Sequence, residues 1–262
     1  IVSRHGIRGP VVQAKCDGAA PPGNCMNAIA ARPWPTYGVV AGNLIPDGYA
    51  RVATLGRYYR ALYQAAGVIP EKGCPDAIVR TDAMERTVMT AGALADAMFP
   101  GCGTPISIEP RLYDGPSCGY DPKKAAAAAQ AFVGGSYAAL ANGPLRRPLA
   151  VMDAVLGPFK PDGCAFHGVA APCSLASIPV TDSSPGAIGV ADQPSEQFLM
   201  QYAAGLPANK VAWGRLRAAS GKPLAAAITE VNAIHARFFA AVLMPTYQAR
   251  KTGSQLMAEV LA

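Results

Sequence analysis

What this chain has little of narrows its chemistry before any motif is read. Histidine occurs three times and no Cys-x-x-Cys pair is present, so the ligands of a zinc site are too few and wrongly spaced. No metal or other cofactor is expected. Charged residues make up only 15% and aromatics 7% of the chain. Without Lys/Arg runs or a basic–aromatic repeat, the formal charge of +6 does not read as a nucleic-acid surface. No apolar run approaches the roughly 18 residues of a membrane span, and no membrane partner is expected. What remains is a hydrophobic content of 51% in 262 residues, enough for one large domain or two modest ones. The small positive excess suits a small anionic ligand, and a monomer is expected.

Seven cysteines stand at positions 16, 25, 74, 102, 118, 164 and 173. With no zinc spacing among them, disulfides formed in an oxidising compartment are the better reading, which predicts a periplasmic or secreted protein. Pairing neighbours gives Cys16–Cys25, Cys74–Cys102 and Cys164–Cys173, and leaves Cys118 alone. Each bridge would contribute roughly 2–4 kcal/mol by restricting the unfolded chain.

The chemistry concentrates in the first ten residues. Ile1-Val2-Ser3 reads as the end of a buried strand, and the chain then turns at Gly6, Gly9 and Pro10. Arg4, His5 and Arg8 sit in that turn. In an open α/β sheet the loop leaving the carboxyl end of a strand is where ligands bind. Guanidinium forks match tetrahedral oxyanions and stay charged at any working pH. A neighbouring cation lowers a histidine pKa, so His5 would remain neutral and nucleophilic in mild acid. A hydrogen bond from its other ring nitrogen to a backbone carbonyl would fix the tautomer.

A second cluster follows a short apolar run. Ala77-Ile78-Val79-Arg80 predicts a buried strand, and a helix is predicted from Glu85 to Ala97. Asp82 is placed to cap that helix, with Glu85 completing a capping box. Arg86 lies at its start, where the helix N-terminus adds partial positive charge for an anion.

Arg4-His5-Gly6-x-Arg8-x-Pro10 and the strand–Asp82-x-x-x-Arg86-Thr87-x-x-Thr90 element together resemble the histidine acid phosphatases, the two-domain branch of the histidine phosphatase superfamily. The resemblance is greatest to bacterial periplasmic phytases. It implies His5 as a nucleophile that becomes a phosphohistidine, with Arg4, Arg8 and Arg86 holding the phosphoryl oxygens of an anionic phosphate-ester substrate. It also implies bridges at the second and third of the paired cysteine positions, and a partner for Cys118 much further along the chain. Asp82 is implied as a contact to substrate hydroxyls, against its plainer reading as a cap. Gln193 falls where such enzymes reach substrate, or in a solvated turn. His235 resembles a pocket-lining histidine, or is a satisfied helix-face residue. Arg250 resembles a basic residue of the returning segment. His167, in a loop, is expected at the surface, and so is Lys15.

The rest of the chain is read for organisation. Leu44-Ile45-Pro46-Asp47-Gly48 leads into an amphipathic helix over Tyr49–Ala66, with Asp47 as its possible cap and Val52, Leu55, Tyr58, Tyr59 and Leu62 facing the core. Pro105-Ile106-Ser107-Ile108 predicts a third strand. Helices are predicted over 124–132, 144–156, from Ser195 to near Gly205, and over 225–242, with a loop over 157–189. The expected fold is α/β: a mixed, mainly parallel sheet flanked by helices, phosphoglycerate mutase-like by the resemblance, with an inserted all-α domain. The α/β domain is assigned to 1–118 and 244–262, and the helical domain to 119–243. The chain opens without Met or leader, inside what is expected to be a longer strand, and its final helical run has no capping signal. The C-terminal part of the α/β domain is therefore expected to be absent.

The activity these residues imply is acid phosphomonoester hydrolysis. The alternative is an anion-binding protein with little turnover, because the family's His-Asp or His-Ala-Glu general-acid motif does not occur: Gly168 follows His167, and Ala236-Arg237 follows His235. That motif is expected beyond residue 262. Val11 and Val12 stand where phytases of this type carry a hydroxyl and a lysine, which favours sugar phosphates over inositol hexakisphosphate. The smaller mutase-like branch, with Arg-His-Gly-Glu, does not fit.

Overall fold

The computed structural model of the chain describes residues 1–9, 26–30, 32–35, 37–110 and 119–261. The expected Cys16–Cys25 bridge, Cys118, Lys15 and the Val11-Val12 pair lie outside them. The chain divides into two compact units. One comprises Ile1–Pro10, Thr36–Gly115 and Gln255–Ala262, the other Val11–Pro35 and Pro116–Ser254.

The first unit is α/β. Helix α1 (Pro46–Ala65) opens on Pro46, whose fixed φ and missing N–H suit a first helical position. Its cap is Ile45, and Asp47 instead pairs with Arg51 at 2.7 Å. Strands β1 (Val79–Thr81) and β2 (Ile106–Ile108) are parallel, with Val79 opposite Ile106 and Thr81 opposite Ile108. Parallel strands need a crossover, and α2 (Glu85–Met98) supplies it. The Cys74–Cys102 disulfide joins the segments that flank this β–α unit.

Two sequence expectations change here. Ile1 and Val2 form no strand and stand 60% and 61% exposed, because no described segment pairs with them. On α1 the buried residues are Gly48, Val52 and Gly56, while Tyr58 is 60% and Leu62 45% exposed. Positions 48, 52 and 56 form one i, i+4 ridge of small side chains, along which a neighbouring helix approaches closely. The bulkier stripe through Leu55, Tyr58 and Leu62 is turned outward.

The second unit is helical. In chain order it holds α3 (Pro122–Phe132), α4 (Tyr137–Asn142), α5 (Arg146–Leu156), α6 (Pro161–Phe166), α7 (Ala187–Ala203), α8 (Leu216–Ser220), α9 (Leu224–Leu243) and α10 (Thr246–Thr252). A last helix, α11 (Ser254–Leu261), follows. The alanine run of α3 is capped by Asp121, whose side chain accepts the N–H groups of Lys123 and Lys124. The core includes Met152, Leu156, Ile188, Phe198 and Ile234, none more than 1% exposed. Trp34 lies stacked 5.6 Å from Phe198 and 4.7 Å from Trp213. The Cys164–Cys173 disulfide staples the connection between α6 and α7. That connection is not all loop, since α6 and a short 3₁₀ turn, Leu175–Ser177, lie within the stretch read as irregular.

Helix α7 departs most from the sequence reading. It begins at Ala187 and runs through Pro194. Proline removes one backbone donor from a helix interior and crowds the preceding turn, yet the helix extends eight residues before the expected start at Ser195. Burial decides the outcome: most of α7 is shielded from solvent, including Asp192, Ser195, Glu196, Gln197 and Gln201. Helix α9 is the one helix, among the described residues, long and apolar enough to cross a membrane by length and composition. It packs on α7 and carries Glu230, His235 and Arg237.

Candidate active site

The signature segment of the first unit is fixed from both sides by backbone pairing. The Ile45 N–H donates to the Ile7 carbonyl at 3.0 Å, the Gly9 N–H donates to the Asn43 carbonyl at 2.9 Å, and Arg8 faces Leu44 in an antiparallel bridge. Space is tight as well. A β-carbon on Gly6 would meet Val52 at 2.7 Å, and one on Gly48 would meet the Ile7 carbonyl oxygen at 2.3 Å. Glycine is required at both positions, because α1 presses its first turn onto the segment that carries the histidine.

Within this frame His5 is half-buried, and its Nδ1 lies 2.8 Å from the Gly6 carbonyl oxygen. A carbonyl only accepts, so the proton of the neutral ring sits on Nδ1 and the Nε2 lone pair is left for chemistry. The His5 pKa is held below the ordinary 6.5. Burial is the largest cause; the Gly6 carbonyl opposes it, and the charges of Arg4, Arg8 and Arg86 add to the lowering. Arg4, Arg8 and Arg86 therefore all lie near enough to His5 for their charges to act on its ring. Arg4 is exposed, Arg8 is buried at 6% exposure, and Arg86 is intermediate. One Arg86 guanidinium nitrogen rests against the Met84 sulfur, while its Nε is buried with no hydrogen-bond partner among the described residues.

Asp82 lies in the turn before α2, and here the expected capping box is corrected. Met84 occupies the cap position without a side-chain cap bond, and α2 starts at Glu85. The Asp82 carboxylate accepts the Met84 N–H at 2.8 Å and the Thr87 hydroxyl. The Glu85 carboxylate turns away and accepts the Leu44 N–H at 2.9 Å. A long-range donor from the strand-like segment beside Arg8 outcompetes the local box.

The remaining residues read from the resemblance lie in the helical unit. Gln193 is in the middle of α7 and not in a turn before it. His235, on α9, is 7% exposed, and its Nδ1 lies 2.7 Å from one Asp192 oxygen. Glu196 lies 3.7 Å from its Nε2. The Gln193 amide reaches the second Asp192 oxygen at 3.3 Å. Asp192 therefore gathers two expected residues, and sequence reading passed it over. An acid at i with a second at i+4 on a buried helix face was the signal that could have found it. Arg250 stands exposed on α10, and no hydrogen bond among the described residues links it to this group. His167 is half-buried against Phe159 and Phe166, with its pKa lowered by burial. Among the described residues no set of three or more His, Cys, Asp and Glu is arranged to hold a metal ion.

The sequence model of the histidine phosphatase superfamily (branch 2) matches residues 1–142, more than half of the chain. The chain belongs to that family. Phytase AppA of Escherichia coli (strain K12) is 29% identical to it over 237 residues, 82% of this chain and 52% of that protein. Glucose-1-phosphatase of Providencia rettgeri is 25% identical over 240 residues, with the same coverage of 82% and 52%. Among solved structures, Hafnia alvei phytase in complex with myo-inositol hexakis sulphate aligns with a TM-score of 0.76 at 25% identity, covering 98% of this chain and 63% of that one. The phytase of Citrobacter braakii aligns with a TM-score of 0.75 at 21% identity, again over 98% and 63%, which speaks for the fold. The family fold implied by the signature is the fold this chain has, and the chain spans about half the length of the curated relatives it matches.

Proposed function

We propose that the chain is an acid phosphomonoesterase of the histidine acid phosphatase type, hydrolysing phosphate monoesters through a phosphohistidine. The observation that carries this reading is the state of His5: its Nδ1 faces a carbonyl 2.8 Å away, and three arginine charges act on it. In the proposed reaction Nε2 attacks phosphorus in line, the N–P bond forms, and the bond from phosphorus to the ester oxygen breaks. Arg4, Arg8 and Arg86 stabilise charge on the equatorial oxygens. The unpartnered Arg86 Nε is a donor suited to that role. The departing alkoxide takes its proton from the mildly acidic solvent, because no residue of this sequence is assigned as general acid. Water then attacks the phosphohistidine, releasing inorganic phosphate and regenerating Nε2.

Phytate and sugar phosphates are the proposed substrates, in keeping with relatives named phytase and glucose-1-phosphatase. Asp82, Gln193, His235 and Arg250 are proposed as contacts to the rest of the ester. The proposed α/β domain (1–118 and 244–262) carries His5, the three arginines, Asp82 and Arg250, and the proposed helical domain (119–243) carries Gln193 and His235. The Cys74–Cys102 and Cys164–Cys173 disulfides support a periplasmic or secreted location.

A second reading, an anion binder with little turnover, is favoured by one observation: no histidine here is followed by Asp or by Ala-Glu. One experiment separates the two. A brief pulse with a radiolabelled phosphate ester at mildly acidic pH, quenched in base, traps label on His5 if the enzyme reading holds, and His5→Ala removes it. Phosphate affinity that is lost in Arg86→Ala, with no phosphoenzyme in the parent, supports the binder instead.

A further inference from the structure

The first two turns of α2 reach back to the signature segment through Thr90, the last residue of the Arg86-Thr87-x-x-Thr90 element, to which the motif reading gives no role. Thr90 is 6% exposed. Its hydroxyl oxygen accepts the Gly6 N–H at 2.9 Å, and its proton goes to the Arg86 carbonyl, one turn back, at 2.6 Å. The hydroxyl is thus used in both directions at once. Gly6 is equally committed, since its N–H goes to Thr90 and its carbonyl receives the proton of His5 Nδ1. It is also confined on its side-chain face by Val52 and Leu44. A continuous path runs from the Arg86 turn through Thr90 and the Gly6 residue to the His5 ring.

We propose that Thr90 is a positioning residue for the nucleophile: its hydroxyl sets the Gly6 peptide, and through that peptide it holds His5 in the Nδ1–H tautomer with Nε2 free. This rests on the reading of His5 as nucleophile. The physical case is simple. A neutral imidazole has two tautomers, and only the one protonated at Nδ1 presents a lone pair at Nε2. The carbonyl that selects this tautomer belongs to a glycine, which has no side chain of its own to anchor it. Oriented backbone donors and acceptors hold their aim only when the opposite end of the same residue is tied down. Here the tie is a buried threonine on the helix that also bears Arg86, so ring orientation and clamp share one anchor.

The test is ¹⁵N-histidine NMR on the whole chain, at a pH where His5 is neutral, for the parent, Thr90→Ser and Thr90→Val. The parent and Thr90→Ser are expected to show the Nδ1–H tautomer of His5, and Thr90→Val a mixture containing Nε2–H. In parallel, label transfer to His5 from a radiolabelled ester should slow about tenfold in Thr90→Val and change less than about threefold in Thr90→Ser. Inorganic phosphate affinity should change less than about threefold in either, because Arg86 is retained. A pure Nδ1–H tautomer with undiminished label transfer in a folded Thr90→Val overturns the proposal. Should that variant not fold, amide exchange of Gly6 in the parent decides: slow exchange is required, and exchange as fast as an open peptide overturns the proposal. A parent that takes up no label sinks the nucleophile reading alone, while the tautomer comparison still judges Thr90.

Discussion

Two histidines of this chain sit in opposite electrical surroundings. His5, in the α/β unit, is half-buried among Arg4, Arg8 and Arg86, with one nitrogen on a carbonyl. His235, in the helical unit, is nearly enclosed, with Asp192 at one nitrogen and Glu196 facing the other. Burial and neighbouring cations disfavour the protonated form of His5 and keep a lone pair available; at His235 the Asp192 carboxylate takes up one ring nitrogen. The same side chain thereby offers Nε2 in one place, as the nucleophilic role proposed for His5 requires, and is a held, hydrogen-bonded post in the other. The chemistry of a histidine is read from its neighbours, and its position in a motif only says where to look.

The hardest test of this contrast is Asp192→Ala. It strips the carboxylate that joins His235 on α9 to α7 and also supports Gln193. Leaving the buried His235 nitrogen without its acceptor costs up to about 3 kcal/mol, so the helical unit should melt earlier in calorimetry. The His5 tautomer should be untouched, and an altered His5 signal would break the claim that the two histidines are independently prepared. Next in size is Arg86→Ala. Losing one charge-assisted contact of about 2 kcal/mol should weaken inorganic phosphate binding roughly thirtyfold in calorimetry. Unchanged affinity would remove Arg86 from the clamp.

A smaller effect sharpens the sign of the comparison. His5 has its folded pKa lowered from 6.5, first by burial and then by the three arginines. The folded state therefore resists the proton: the associated loss of stability sets in as pH falls below 6.5 and is complete once pH passes the lowered value. Arg86→Ala takes one cation away, so the His5 pKa should move back up toward 6.5 in an NMR titration. A further fall would mean that the arginine charges do not act on the ring.

Legibility followed range along the chain. The turn at Arg4–Arg8, β1, the helix bearing Arg86 and the Cys74–Cys102 and Cys164–Cys173 bridges were readable because each depends on residues close together or on strong local preferences. Glu85 misled because its capping role is local, while the donor it takes, Leu44, is 41 residues away. The contacts of Thr90 and Asp192 were hidden for the same reason, with partners 84 and 43 residues distant: the motif includes Thr90 without showing what it binds, and the Asp192–Glu196 spacing does not name His235. Pro194 hid the first half of α7, since local preference argues against a helix that burial nevertheless sustains. On α1 the apolar period was real, but the face chosen was the one with glycines, which periodicity scores as nothing. Ala212 and Trp213 hold positive φ values of 48° and 54°, a strain that no composition announces. It is held in place by Gln201, which accepts the Ala212 N–H at 2.8 Å, and by the Trp213 indole N–H on the Pro33 carbonyl, also at 2.8 Å.

The smallest effect comes from an inverse arrangement on α9 itself, five residues before His235. Glu230 is a well-shielded carboxylate between two cations, with Arg147 at 2.6 Å and Lys222 at 2.9 Å. Burial by itself pushes its pKa up, but the bonds and charges of Lys222 and Arg147 together prevail and hold it below the ordinary 4.5. A lowered carboxylate contributes stability that is complete above pH 4.5 and is lost as pH falls through the folded value. Lys222 is 39% exposed at its side chain, so solvent screens its share, and Lys222→Ala should cost no more than about 1 kcal/mol at neutral pH. The acid unfolding midpoint should nevertheless rise, because Glu230 then takes its proton at a higher pH. Arg147 is different: it also donates to the Ser220 carbonyl at 2.6 Å, so Arg147→Ala should exceed the lysine change in a melting experiment. If the two variants lose equal stability, the carboxylate contact alone sets the value of this cluster, and the tie from α5 to the end of α8 adds nothing.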